Sequence, residues 1–80
     1  MRIKQVQPLT SQKLRIVAED GQIGIFDLSP YLQYEAFAEL QRPEMFNKIT
    51  NGGYFIEWEC GADLSADTIE AHWQVLQPIV

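Results

Sequence analysis

Eighty residues, 46% of them apolar, with a net charge of −5 and a single cysteine, describe one small domain that must fold without a disulfide. No apolar run has the length of a membrane span, and six basic residues spread thinly through the chain lack the stripe of a nucleic-acid module, which argues against direct DNA or RNA binding. One lone thiol without a signal peptide fits a reducing cytoplasm.

Ile3 to Val6 reads as a short strand that ends near Pro8, which cannot donate a ladder hydrogen bond. Leu14 to Glu19 and Gln22 to Leu28 flank Asp20-Gly21, and Asp-Gly between apolar runs is a strong hairpin signal. A two-residue type I′ loop sets Ala18 opposite Ile23, Ile16 opposite Ile25 and Leu14 opposite Asp27. That register gives Leu14, Ile16, Ile23 and Ile25 to the core. It leaves Arg15, Val17, Gly24, Phe26 and Leu28 on a mixed, partly wet face.

Ser29-Pro30 closes the strand, and Glu35 to Gln41 suits a short helix with Phe37 and Leu40 on one side. Pro43 starts a further turn reaching Ile49, with Met45, Phe46 and Ile49 inward, and Asn51-Gly52-Gly53 breaks it. Tyr54, Ile56 and Trp58 then alternate with Phe55 and Glu57, as a strand requires. After Trp58 a compact junction follows. Gly61 permits a turn, Asp63 braces it, Ser65 caps a helix running from Ala66 to about Gln77, and Asp67 sits in the first turn near the positive helix end. Ile69, Trp73 and Leu76 form the apolar stripe of that helix, and Pro78 stops it. The expected architecture is a single α+β domain over residues 1–80. It has a small, mainly antiparallel sheet, short helices and a C-terminal helix packed on the sheet.

The ordered set Val6-Gln7-Pro8-Leu9, Leu14-Arg15-Ile16-Val17, Glu19-Asp20-Gly21, Ile25-Phe26-Asp27-Leu28 with Pro30 and Leu32, Phe37 and Leu40 with Pro43 and Phe46, then Trp58 and Gly61-Ala62-Asp63-Leu64 with Asp67, resembles a small bacterial family known as domain of unknown function 2442. The resemblance runs from Ile3 to about Ile69. It implies a compact α+β fold and no established activity, cofactor or catalytic residue. Some members resemble halves of larger proteins with a helix-turn-helix, and others look like small partners of toxin-like proteins. No DNA-binding appendage is expected in this chain. It also departs from the family at Ala18, where an aromatic is common, and at Glu59-Cys60, so Cys60 inherits no role from the resemblance.

The titratable residues suggest structure more than chemistry. Asp63, Asp67 and Glu70 form an acidic cluster best explained by the turn and the helix start. Glu57, Glu59, Cys60, Asp63 and His72 have no known ligand spacing, so no metal or cofactor is expected. The acidic neighbours of Cys60 disfavour a thiolate nucleophile.

The aromatic residues point elsewhere. Tyr31, Tyr34, Phe37, Phe46, Tyr54, Phe55, Trp58 and Trp73 exceed what so small a core absorbs. The surplus should form a contact patch, with Phe26, Tyr31, Tyr34 and Phe55 as its candidate residues. The expected function is a non-enzymatic interaction or regulatory module. It would be a homodimer whose acidic rim selects a basic protein, with a toxin-like partner implied by the resemblance alone. The competing expectation is an enzyme or small-ligand binder built on Glu59, Asp63, Asp67 and His72.

Overall fold

Three antiparallel strands open the chain: β1 (Ile3–Leu9), β2 (Lys13–Ala18) and β3 (Ile23–Asp27). They belong to a computed structural model that describes residues 1–76. The strand β1 continues through Pro8 rather than ending before it. It can do so because β1 is an edge strand, where an absent N–H breaks no ladder bond on the open side.

The β2–β3 loop corrects the expected register. It has three residues, Glu19-Asp20-Gly21, not two. The Gly21 N–H donates to the Ala18 carbonyl at 3.0 Å, the Ala18 N–H donates to the Gln22 carbonyl at 2.8 Å, and Gly21 is left-handed at φ +94°. This is a tight turn followed by a left-handed glycine, the usual three-residue hairpin loop. Val17 therefore lies opposite Ile23, Ile16 opposite Gly24 and Leu14 opposite Phe26. A one-residue slip exchanges the faces of a strand. Phe26 turns into the core and Ile23 and Ile25 turn out, the reverse of the sequence expectation.

Ser29–Tyr31 and Glu35–Gln41 are 3₁₀ helices. Residues three apart eclipse in such a helix, which explains why Phe37 and Leu40 both reach the core. The short helix α1 (Pro43–Phe46) starts on proline, as expected, and its Met45 and Phe46 point inward. Ile49 is not part of that turn. It begins β4 (Ile49–Asn51), which joins β5 (Phe55–Trp58) and β6 (Asp63–Ser65) in a second antiparallel sheet, in the order β4-β5-β6. Asn51 links the two sheets. Its side chain accepts the Gly53 N–H at 2.8 Å and donates to the Ile3 carbonyl at 3.0 Å, while the Ile3 N–H donates to the Gly53 carbonyl.

The helix α2 (Ala66–His72) is capped by Ser65, whose hydroxyl accepts the Thr68 N–H at 3.1 Å. It is shorter than expected. At Trp73 the backbone becomes extended, and β7 (Gln74–Val75) adds to the free side of β3, completing the order β1-β2-β3-β7. The cause is a long-range fit: the Trp73 indole lies on Gly24, where any Cβ would collide with it. Trp73 thus reaches the core as a cap residue, and Leu76 is exposed rather than on a helix stripe. The expected helix end at Gln77 and stop at Pro78 lie outside the described residues.

The core sits between the inner faces of the sheets and the helices. Leu14, Ile16, Phe26, Leu28, Leu40, Phe46, Ile56, Trp58 and Ile69 fill it. The Trp58 ring stacks on Phe46, and its indole N–H donates to the Phe46 carbonyl at 3.0 Å, so the largest side chain in the core leaves no orphan donor. Among the described residues no polar or charged side chain is buried.

Candidate functional site

With the register fixed, the outer face of the four-stranded sheet can be read residue by residue. Gln5 and Gln7 of β1 lie beside Val17 and Arg15 of β2, these lie beside Ile23 and Ile25 of β3, and Gln74 of β7 lies beside Ile25. Val17, Ile23 and Ile25 are half-buried, yet none belongs to the core cluster or packs against it. Leu76, 48% exposed, extends the row, its N–H donating to the Ile23 carbonyl at 2.7 Å. The charges on this face are Arg15 and the opposed pair Lys13 and Asp27 at its far end. An aliphatic patch without net negative charge therefore lies on an acidic protein.

The outer face of the three-stranded sheet differs. Thr50, Phe55, Glu57, Asp63 and Ser65 are all exposed there. Glu57 and Asp63 are direct cross-strand neighbours, an unfavourable pairing of like charges. Among the described residues the ion pairs are the Met1 amine with Glu70, Arg42 with Glu44 and Lys48 with Glu59, and none relieves that pair. Asp63 also makes no side-chain hydrogen bond among the described residues, so it does not brace the turn as expected. The turn is closed by the backbone, with the Gly61 N–H donating to the Trp58 carbonyl and the Trp58 N–H donating to the Ala62 carbonyl. Phe55 is 43% exposed and lies against Gly52, and Tyr54 is 65% exposed beside the Arg2 guanidinium, 5.4 Å from the ring centre.

A third feature is a cleft of about 450 Å³ at the end of β3, lined by Phe26, Asp27, Pro30, Tyr31, Gln33, Tyr34 and His72. Asp27 Oδ1 accepts the Ser29 N–H at 2.9 Å. Hydrogen bonds from the Ser29 side chain and backbone hold the Asp27 carboxyl below the usual aspartate range, with a smaller contribution from the Lys13 charge. Tyr31 packs between Phe26 and Phe37 at centroid distances of 5.6 and 5.9 Å.

The four expected contact residues therefore separate. Phe26, 1% exposed, is a core residue and offers no docking surface, because the three-residue loop turned it inward. Tyr31 is half-buried, Tyr34 and Phe55 are exposed, and Tyr31 and Tyr34 share the β3 cleft while Phe55 stands on the other sheet. The acidic-corner residues do not share a cleft either. Glu59 lines a shallow depression with Lys48, Thr50, Glu57 and Trp58, whereas His72 lines the β3 cleft. Asp63 lies on β6 and Asp67 in the first turn of α2. Among the described residues no group of three or more His, Cys, Asp or Glu side chains could hold a metal ion. Cys60 is a half-buried turn residue near Glu35 and Glu39. The aliphatic patch of Val17, Ile23 and Ile25 was missed by sequence reasoning, and the only signal for it was the length of one loop.

A family model described as protein of unknown function (DUF2442) matches residues 3–74, and the chain belongs to that family. No curated protein and no solved structure matches it. Among the described residues no helix is long and apolar enough to cross a membrane.

Proposed function

We propose that this member of the DUF2442 family is a non-enzymatic, cytoplasmic protein-interaction module. In this reading it pairs with itself through the outer face of its four-stranded sheet and offers its acidic surface to a basic protein, of which a small toxin-like protein is one candidate. The observation that carries the reading is the row Val17, Ile23 and Ile25, which among the described residues stand apart from the core cluster, extended by the exposed Leu76. Such a face is a liability unless something covers it. A second copy suits it. Two sheet faces pack at about 10 Å, and this face carries two positive charges and one negative, so two copies would meet there with little of the chain's net charge of −5 between them.

Sedimentation velocity tests the reading. The expected species has twice the chain mass, and the double substitution of Ile23→Thr with Ile25→Thr reduces it to one chain mass. Threonine keeps the β-branched shape that suits a strand while removing apolar surface. A monomeric wild type at tens of micromolar, with an unchanged double variant, overturns the homodimer.

The acidic sheet face supports the second half of the reading. Glu57 opposite Asp63 costs stability in the free protein, and a basic partner would relieve that cost beside the exposed Phe55 and Tyr54. The ligand-binding alternative, built on Glu59, Asp63, Asp67 and His72, has no comparable support, since Glu59 and His72 line different clefts.

A further inference from the structure

We infer that the cleft at the end of β3 receives an arginine side chain of a basic protein partner. The inference rests on the interaction reading above and gives that partner a contact in addition to the Glu57–Asp63 face.

The cleft brings together, in about 450 Å³, residues suited to two kinds of recognition: the tyrosines 31 and 34, and the acidic Asp27. Tyr31 is held in place by its contacts with Phe26 and Phe37. Tyr34 is 56% exposed, and among the described residues its ring has no aromatic or cationic partner. Asp27 is fixed by Ser29 and joins no ion pair among the described residues. An ionised carboxylate accepts about four hydrogen bonds, so the Ser29 contact leaves capacity for more donors.

A guanidinium fits both features at once. Its flat face stacks on a tyrosine ring, and its edge donates in a fork to a carboxylate. A lysine ammonium is a compact, strongly hydrated point charge and uses the ring face less well. This molecule already shows the pairing once, with Arg2 over the Tyr54 ring. The net charge of −5 favours the approach of a cation. Two bases border the cleft: Lys13, opposite Asp27 on β2, and His72 in the lining itself. An entering cation competes with Lys13 for Asp27, which favours one that adds stacking to its charge.

The peptides Gly-Arg-Gly and Gly-Lys-Gly are titrated into the isotope-labelled full chain and followed by amide chemical shifts. Saturable shifts are expected at Asp27, Tyr31, Tyr34 and His72, with the lysine peptide about threefold weaker. Asp27→Asn should weaken the arginine peptide about tenfold, because the carboxylate charge is lost while asparagine still accepts the Ser29 N–H. Tyr34→Ala, at an exposed ring, should weaken it about threefold without unfolding the protein. No saturable shift at the cleft residues, equal binding of the two peptides there, or an unchanged Asp27→Asn variant overturns the assignment. Tighter binding of tetramethylammonium than of the arginine peptide also overturns it, in favour of a methylated ammonium. Sedimentation of the same samples separates the two claims. Dimers that do not bind peptide in the cleft refute only this inference, and monomers that do bind it there refute only the homodimer.

Discussion

In the β2–β3 hairpin the chain turns over Glu19-Asp20-Gly21. In the β5–β6 hairpin it turns over Glu59-Cys60-Gly61, with the same two closing backbone bonds and a left-handed glycine in the third place, at φ +94° and +97°. The inner faces also agree, since both carry buried aliphatics and one buried large aromatic, Phe26 in the first and Trp58 in the second. The outer faces do not agree. The first presents Arg15, Val17, Ile23 and Ile25, and the second presents Phe55, Glu57, Asp63 and Ser65. One turn geometry thus supports an aliphatic face in one sheet and an acidic, aromatic face in the other. The loop fixes which residues face outward but not their chemistry, and the division of proposed roles between the sheets lies in those outward positions.

The strongest way to break this comparison is to exchange the fates of two phenylalanines. Phe26 and Phe55 both read from sequence as outward residues, yet the three-residue loop buries only Phe26. Phe26→Ala should cost about 3–5 kcal/mol, the usual range for emptying a packed phenylalanine site. Phe55→Ala, on an open face, should stay within about 0.5 kcal/mol. Urea unfolding with a constant m-value measures both. Equal small effects would restore the two-residue loop and place Phe26 outside.

A smaller effect tests whether the two turns are truly alike. A Cβ added at Gly21 or at Gly61 meets no atom within 4 Å, so the left-handed backbone alone sets the penalty. Gly21→Ala and Gly61→Ala should therefore each cost about 1–2 kcal/mol and agree with each other. Thermal or urea unfolding gives the comparison. A neutral result at one site and a penalty at the other would show that only one loop holds the left-handed conformation. Gly24→Ala serves as the contrast, since there the conflict is with the Trp73 ring rather than with the backbone.

The same contrast explains what could be read in the chain beforehand. The strands β2, β3 and β5 show in the alternation of their side chains, and Ser65 shows as a cap because its position before Asp67 and Ile69 is a local signal. Strands of three residues or fewer, β4, β6 and β7, are too short to display a period. The end of α2 at His72 was hidden because its cause, the fit of Trp73 on Gly24, spans 49 residues of sequence (73 − 24). The aliphatic patch was hidden for a subtler reason. Asp-Gly serves a two-residue loop as well as a three-residue one, and the choice between them inverts every side chain of β3. Trp58 and Gly61 were legible because Gly61 admits a left-handed turn and Trp58 alternates with Glu57, whichever loop length is assumed.

The weakest effect concerns the carboxylates that the hairpins turn outward. In the second hairpin Glu57 and Asp63 face each other. In the first, Asp27 faces Lys13 and accepts hydrogen bonds from Ser29, which hold its carboxyl below the ordinary aspartate value of about 3.9. A carboxyl with a lowered folded-state pKa stabilises the protein above its unfolded value and loses that contribution as the pH falls through the folded one. Asp27 is exposed, so solvent screening keeps the contribution small. Asp27→Asn keeps an acceptor for the Ser29 N–H and removes the titration. Its stability should match the wild type most closely in strong acid, where Asp27 is itself neutral, and fall slightly below it from about pH 4 upward. Urea midpoints across that range measure the difference. A gap that widened towards acid would have the wrong sign, and Ser29 would then not be favouring the ionised form.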